Sequence, residues 1–325
     1  MVSGLKVSIL IPTYNQPQYI IQCVESALAQ DYENIEVIVN DDSTNDETRQ
    51  LLLPFKNVSG FKYYKTSINI GRVANYRKLL YEYATGDWVV MLDGDDYYIE
   101  ENYINYVVQF IIKYPNLVLV GAGHKIYYES NGETTISTIT EEDKVFEGSN
   151  IFRDNIPIPQ HTTNVYNRKV ALSLNCYSHP SNASDAEGLY RLCLHGEVAF
   201  LHLIPVVWRI HENNTTYTKD VSKQITELNF IDSVYNYSLL FLKSDIAKAW
   251  KKRQYFGHSH HILEIALHSK KFKNVLKVCY HFRKYWGTKS LQHVIYRYLK
   301  MNSSELPFLQ KRFFIFLTFI KKIVK

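Results

Sequence analysis

Trp88-Val-Val-Met-Leu-Asp-Gly-Asp-Asp96 is an apolar run that stops on three carboxylates, Asp93, Asp95 and Asp96, packed into four residues. The run is short and follows Thr85-Gly86, the signature of a buried strand. Acidic groups this close repel one another, so the turn is unfavourable unless a cation neutralises it. Oxygen ligands in a short loop suit Mg²⁺ or Mn²⁺, which bind one or two carboxylates together with a substrate diphosphate. Taken alone the stretch reads equally as a solvated acidic turn. Its neighbours decide.

Upstream, Val7-Ser-Ile-Leu-Ile-Pro12 is a second apolar run, closed by a proline and the loop Thr13-Tyr14-Asn15. Residues 18–29 space Ile20, Ile21, Val24, Leu28 and Ala29 as one face of a helix, with Pro17 suited to its first turn. The strand Ile35–Val39 runs into Asn40-Asp-Asp-Ser-Thr-Asn-Asp46, whose polar side chains can cap a helix from Glu47. A third strand, 61–64, precedes Asn69-Ile-Gly-Arg72 and a helix predicted over 73–84. Strand alternating with helix is the pattern of a parallel sheet covered on both faces.

Two acidic turns, Asp41-Asp42 and Asp93–Asp96, thus fall at strand ends beside Thr13-Tyr14-Asn15. An open α/β sheet binds nucleotides in that crevice. The chain has neither GxxxxGK[ST] nor GxGxxG after a strand, so carboxylates holding a metal-bridged diphosphate are the better reading. Asp42 is placed to accept the N3–H of a uracil.

Downstream the rhythm changes. The pattern predicts a helix over 100–114, strands over 117–121 and 125–130, and a hairpin turn at Asn131-Gly132 before 134–139. Residues 148–168, with Pro157, Pro159 and His161, read as loop. A helix over 185–194 and strands over 198–203 and 206–210 follow, and from about Ser222 the chain reads as helical.

Composition narrows the class. A 46% hydrophobic fraction supports a sizeable core, and four scattered cysteines without a CxxC pair read as reduced thiols of a cytosolic protein. Met1–Lys6 is too short and polar for a signal peptide, and no run reaches membrane-spanning length. From Lys243 onward 19 Lys/Arg face three acids, a net of +16, while the remainder carries 18 Lys/Arg and 29 Asp/Glu, a net of −11. A basic tail on an acidic body suits an anionic partner. Residues 306–325 place Phe313-Phe-Ile-Phe-Leu-Thr-Phe-Ile320 between Lys311, Arg312, Lys321 and Lys322, the make-up of an interfacial helix on an anionic leaflet. Packing on the protein's own core, or a homo-oligomer contact, is the competing reading. Nucleic acid is disfavoured by the absence of a binding motif.

Val7–Asn15, Asn40–Thr48, Asn69-x-Gly71 and Leu92–Asp96, in this order and spacing, resemble the family 2 glycosyltransferases of the GT-A fold. Asp185 and Trp208-Arg-Ile-His-Glu-Asn-Asn214 look like that family's downstream catalytic acid and closing Arg-x-His segment. The resemblance implies a GT-A (Rossmann-like), mainly parallel α/β sheet over residues 1–218, with a basic helical C-terminal region over 219–325. It implies a nucleotide-sugar donor, UDP-linked, and a saccharide or lipid-linked saccharide acceptor in cell-surface polysaccharide synthesis, at the inner face of the plasma membrane. Pro12, Thr13, Tyr14, Asn15, Asp41, Asp42, Asn69, Arg72, Asp93 and Gly94 would bind the donor. Asp95, Asp96 and His211 would hold Mn²⁺ or Mg²⁺, and Asp185 would be the general base.

Two departures from the family pattern matter. Ser43-Thr44-Asn45 replaces Gly-Ser-Thr after the second strand, and Ser184 stands where a Glu usually precedes the base, which makes Glu187 a rival to Asp185. Arg77 is a second candidate for phosphate contact and His161 for acceptor contact; His258, His260 and His261 read as a basic helix surface. A non-catalytic nucleotide-sugar-binding scaffold is the reading from another functional class.

Overall fold

Apolar residues alternate between two faces along each central strand, and helices cover both faces. The structure is a computed structural model describing residues 4–214, 220–269, 271–283 and 285–286. Its first part alternates β1 (Val7–Thr13), α1 (Pro17–Leu28), β2 (Ile35–Asp41), α2 (Glu47–Leu52), β3 (Phe61–Lys65), α3 (Arg72–Lys78) and β4 (Trp88–Met91). Ile9, Ile11, Val37, Val39, Val90 and Leu92 face one side, against Ile20, Cys23, Val24 and Ala27 of α1. Leu10, Ile38, Val89 and Met91 face the other, against Tyr76, Leu79 and Leu80. Strands buried on both faces belong to parallel sheets, and each fully buried Ile or Leu here contributes about 1.5–3 kcal/mol.

The chain continues through β5 (Tyr97–Tyr98), α4 (Tyr103–Lys113), β6 (Leu117–Ala122) and the hairpin β7 (His124–Tyr128) and β8 (Thr134–Ser137). After β9 (Lys144–Glu147), α5 (Asn150–Arg153), β10 (Val165–Asn167) and α6 (Arg168–Ser173) come α7 (Ser184–Cys193), β11 (Glu197–Leu201) and β12 (Val206–Ile210). The main sheet runs β3-β2-β1-β4-β10-β6-β11-β9, and a second sheet runs β5-β12-β7-β8. β3, β2, β1 and β4 are mutually parallel, and β10 lies antiparallel between β4 and β6. The sheet is therefore mixed and mainly parallel, as expected.

Three short strands depart from the sequence reading. β10 lies inside the segment read as loop, because three residues are too few to display a period and the prolines before them signal a turn. β5 has two residues, and β9 is an edge strand whose exposed ends, Lys144 and Glu147, hide its pairing with β11. The helix expected over 73–84 is α3 followed by a π-helical segment, Leu79–Tyr83.

Among the described residues four helices follow: α8 (Val221–Glu227), α9 (Asn229–Ser238), α10 (Ser244–His268) and α11 (Phe272–Phe282). They share the core on the Leu10–Met91 face, where Trp250 of α10 packs 5.1 Å from both Phe152 and Tyr190. The expected boundary at 218/219 and the segment 306–325 lie outside the described residues. Among the described residues no helix is long and apolar enough to cross a membrane.

Candidate active site

The end of β1 ties both acidic turns together through its backbone. Thr13 O accepts from the Asp42 N–H at 2.9 Å, and Pro12 O accepts from the Gly94 N–H at 3.1 Å. Gly94 is required by this approach: a Cβ there would lie 2.9 Å from Thr13 Cβ and 3.1 Å from Pro12 O. Asn15, at φ 50°, donates its N–H to Ser43 Oγ at 2.8 Å, while Tyr14 stands half exposed at the rim.

The β2 acids are engaged within the protein. Asp41 Oδ2 accepts from Tyr63 OH at 2.8 Å and Oδ1 from the Ser43 N–H. Burial and then Asp41 push the Tyr63 phenol well above its usual range. Asp42, 2% exposed, accepts from Thr66 Oγ1 at 2.6 Å and from the N–H groups of Ile70 and Gly71. It thereby holds the loop that ends at Gly71, whose φ of 84° lets the chain turn into Arg72. Asn69 is exposed in that loop.

The β4 acids divide their partners. Asp95 Oδ2 accepts from Gln16 Nε2 at 2.9 Å and lies 2.9 Å from His211 Nε2. Asp96 Oδ1 accepts from the Arg209 N–H at 2.9 Å, whereas its Oδ2 is buried without a hydrogen-bond partner. Burial, reinforced by Asp95 and Asp93, pushes the Asp96 carboxyl well above the usual carboxylate range. Asp93, Asp95 and Asp96 each offer an oxygen within 4.8 Å of one another. Among the described residues this is the group of His, Cys, Asp or Glu close enough to hold a metal. A buried, partnerless carboxylate oxygen in an all-oxygen cluster fits a hard divalent cation.

Arg209 braces this turn from β12. Its Nε donates to Asp95 O at 3.0 Å and a terminal nitrogen to Gln22 Oε1 at 2.6 Å, and the guanidinium lies 4.6 Å from the centre of the Tyr19 ring. In the sequence Arg209 is marked only as the first residue of Arg-x-His.

Asp185, second residue of α7, comes to the same place from far along the chain. Its Oδ2 lies 2.7 Å from His161 Nδ1, and His161 Nε2 lies 3.0 Å from Asp93 Oδ2. Arg72 Nη2 is 3.9 Å from both carboxylates, and Tyr76 OH donates to Asp93 Oδ1. Burial opposes charge on every member, but each is paired. Asp93 and Asp185 push His161 up to about 10, and His161 with Arg72 holds both carboxyls below their usual range.

The rival acid, Glu187, points away: its Oε1 accepts from Arg191 at 2.9 Å and from Ser233 Oγ at 2.7 Å. Arg77 turns to Cys176 O and the Tyr81 ring, away from Asp93. His161, an acceptor-contact candidate in the sequence, and Tyr76, which the motifs do not mark, both stand against Asp93. Tyr76, four residues after Arg72, falls on the same helix face, and that spacing was a usable signal.

An open, mainly parallel sheet with metal-competent acids at its strand ends defines a GT-A fold. The chain belongs to glycosyl transferase family 2, whose model matches residues 8–174. An uncharacterized glycosyltransferase of Rickettsia typhi is 26% identical over 91% of this chain and 96% of its own length. The glucosyltransferase WfaP of Escherichia coli, named for UDP-Glc and α-D-GlcNAc-diphosphoundecaprenol, is 37% identical over 31% of this chain and 39% of its own. Glycosyltransferase GlyA of Streptococcus pneumoniae is 26% identical over 46% of this chain, which spans 21% of that protein. Several curated relatives are thus much longer than the part matched. The structure of S. aureus TarS 1–349 with UDP-GlcNAc superposes with a TM-score of 0.63 at 17% identity, covering 94% of this chain and 92% of that one. A mannosyltransferase of Pyrobaculum calidifontis, in complex with GDP-Man and Mn²⁺, gives 0.54 at 15% identity over 94% and 88%.

Proposed function

We propose that the protein is a metal-dependent, inverting glycosyltransferase that moves a sugar from a UDP-linked donor to a saccharide or lipid-linked saccharide in cell-surface polysaccharide synthesis. The observation that carries this is the convergence of Asp93, Asp95 and Asp96 with Asp185, brought from α7 through His161 and Arg72. Pro12, Thr13, Tyr14 and Asn15 line the nucleoside end, and Asp42, whose oxygens accept from Thr66 and from the backbone of Ile70 and Gly71, shapes the base pocket. Asn69 and Arg72 flank the donor, and Asp93 takes the ribose. Asp95 and Asp96, with His211 beside them, would hold Mn²⁺ or Mg²⁺, which supplies Lewis-acid stabilisation to the departing diphosphate. Asp185 removes the proton from the acceptor hydroxyl, whose oxygen bonds to the anomeric carbon. The bond from that carbon to the diphosphate breaks in line on the opposite face, and the nucleoside diphosphate leaves with the electron pair, inverting configuration. A positioned base of this kind contributes ~10²–10⁴-fold.

The acceptor's lipid suggests a role for residues 306–325 at the inner leaflet of the plasma membrane. Their deletion is expected to lower partition onto anionic vesicles, and unchanged partition would remove the membrane contact from the account. Turnover of UDP-, GDP- and dTDP-sugars with Mn²⁺ tests the donor: the account expects activity with a UDP-sugar, and binding without turnover would favour the scaffold reading.

A further inference from the structure

His161 stands where two chemistries meet, and its surroundings leave its ring little freedom. It opens the 3₁₀ turn His161–Thr163, held by Gln160 Oε1 accepting from the Thr162 N–H at 2.9 Å. Thr163 Oγ1 donates to Ala122 O at 2.9 Å, Tyr103 OH donates to Thr163 O, and Asn164 Nδ2 donates to Pro159 O. The turn leads directly into β10, which is paired on both sides, to β4 and β6. The ring itself is buried, with Tyr76 set edge-on at 5.9 Å. Asp185 has no comparable mount. It lies in the first turn of a helix whose N-cap, Ala183, offers no side-chain cap, and its other side-chain ion contact, Arg72, is 3.9 Å away.

We propose that His161 is a positioning residue of the transfer reaction: Nδ1 holds the Asp185 carboxylate by a hydrogen bond, while Nε2, buried without a hydrogen-bond partner, faces Asp93 Oδ2 at an ion-pair distance of 3.0 Å, so that the ring sets the spacing between the base and the donor-binding turn. An imidazole suits this task because its two nitrogens point in divergent directions on a rigid ring, and both can donate. A lysine ammonium, a point charge on a flexible stem, could not hold two carboxylates at a set separation. The consequence is kinetic, since a base displaced by 1 Å costs about 100-fold in rate. The inference rests on the transferase reading above. A purely structural role, in which the ring only neutralises two buried acids, predicts a different outcome.

The test compares wild type with His161→Ala, His161→Asn and His161→Gln, using UDP with Mn²⁺ for calorimetric binding and UDP-GlcNAc for turnover. The Asn amide nitrogen overlies Nδ1 and that of Gln overlies Nε2. Asn is therefore expected to keep kcat within about 10-fold while weakening UDP binding. Gln is expected to keep UDP affinity within about threefold and lose about 100-fold in kcat, and Ala to lose both. Equal effects of Asn and Gln on both quantities, or wild-type behaviour of all variants, would overturn the proposal. Wild type that binds none of UDP, GDP and dTDP and turns over none of their sugars would instead refute the transferase reading. Crystal structures of the Asn and Gln variants then decide separately: Asp185 is expected to hold its place in the first and turn away in the second, and the same position in both overturns the inference.

Discussion

Asp96→Asn should make the protein more stable and useless at once. Asp93, Asp95 and Asp96 bring carboxylate oxygens within 4.8 Å of one another. At an effective dielectric of about 20, two unit charges 4.8 Å apart repel by roughly 3 kcal/mol. Proton uptake by the raised Asp96 carboxyl, together with Arg209 and His161, offsets part of this, so replacing the carboxyl by an amide is expected to gain about 1–2 kcal/mol in the metal-free protein. The asparagine oxygen can keep the Arg209 N–H, and its amide nitrogen replaces the partnerless Oδ2 with a neutral group. Melting in EDTA is expected to rise by about 1–3 °C. Wild type in Mn²⁺ at a hundred times its dissociation constant gains about 2.7 kcal/mol, and the variant is expected to lose most of that gain and its turnover. Paired melts with and without Mn²⁺ read both effects. A lower melting point in EDTA, or an undiminished Mn²⁺ shift, would refute the reasoning.

Glu36 offers a prediction with a definite pH window. Although burial raises its pKa, hydrogen bonds from Ser8, Lys62, the Thr85 N–H and Lys6 hold the carboxyl down at about 2, against an ordinary 4.5. A depressed carboxyl contributes stability above its unfolded pKa and loses it as pH falls through the folded one, here on the order of 3 kcal/mol. Glu36→Gln should therefore lower the urea midpoint at pH 7 and converge on wild type near pH 2; a gap that ignores pH would contradict the assignment. Gly94→Ala forces a Cβ against Thr13 and should destabilise by about 1–3 kcal/mol, with turnover down roughly 100-fold because the acidic turn shifts. Wild-type kinetics in that variant would show that the close approach does not matter.

The sequence revealed the parallel half because each strand there is a run of apolar residues long enough to register against turn signals. β1 shows Ile9, Leu10 and Ile11 in sequence, whereas β10 offers only Val165-Tyr166-Asn167 between prolines and a helix. The acids of the site were legible by their company: two acidic turns, Asp41-Asp42 and Asp93–Asp96, fall at strand ends beside Thr13-Tyr14-Asn15. Partners that join such clusters were not legible, since nothing local tells His161 that Asp93 and Asp185 will meet on either side of it. Arg77 and Glu187 show the converse. Both have the right chemistry near the right motif, and helix phase turns them toward Cys176 and Ser233 instead.

The central claim is that Asp95 and Asp185 do different work in one transfer reaction. Steady-state turnover of a UDP-sugar with Mn²⁺, measured for wild type, Asp95→Ala and Asp185→Asn beside calorimetric UDP binding, tests it most directly. Asp95→Ala is expected to lose Mn²⁺-dependent UDP binding and turnover together. Asp185→Asn is expected to bind UDP within about threefold of wild type and to lose ~10²–10⁴-fold in kcat. Unchanged turnover in both variants would contradict the account.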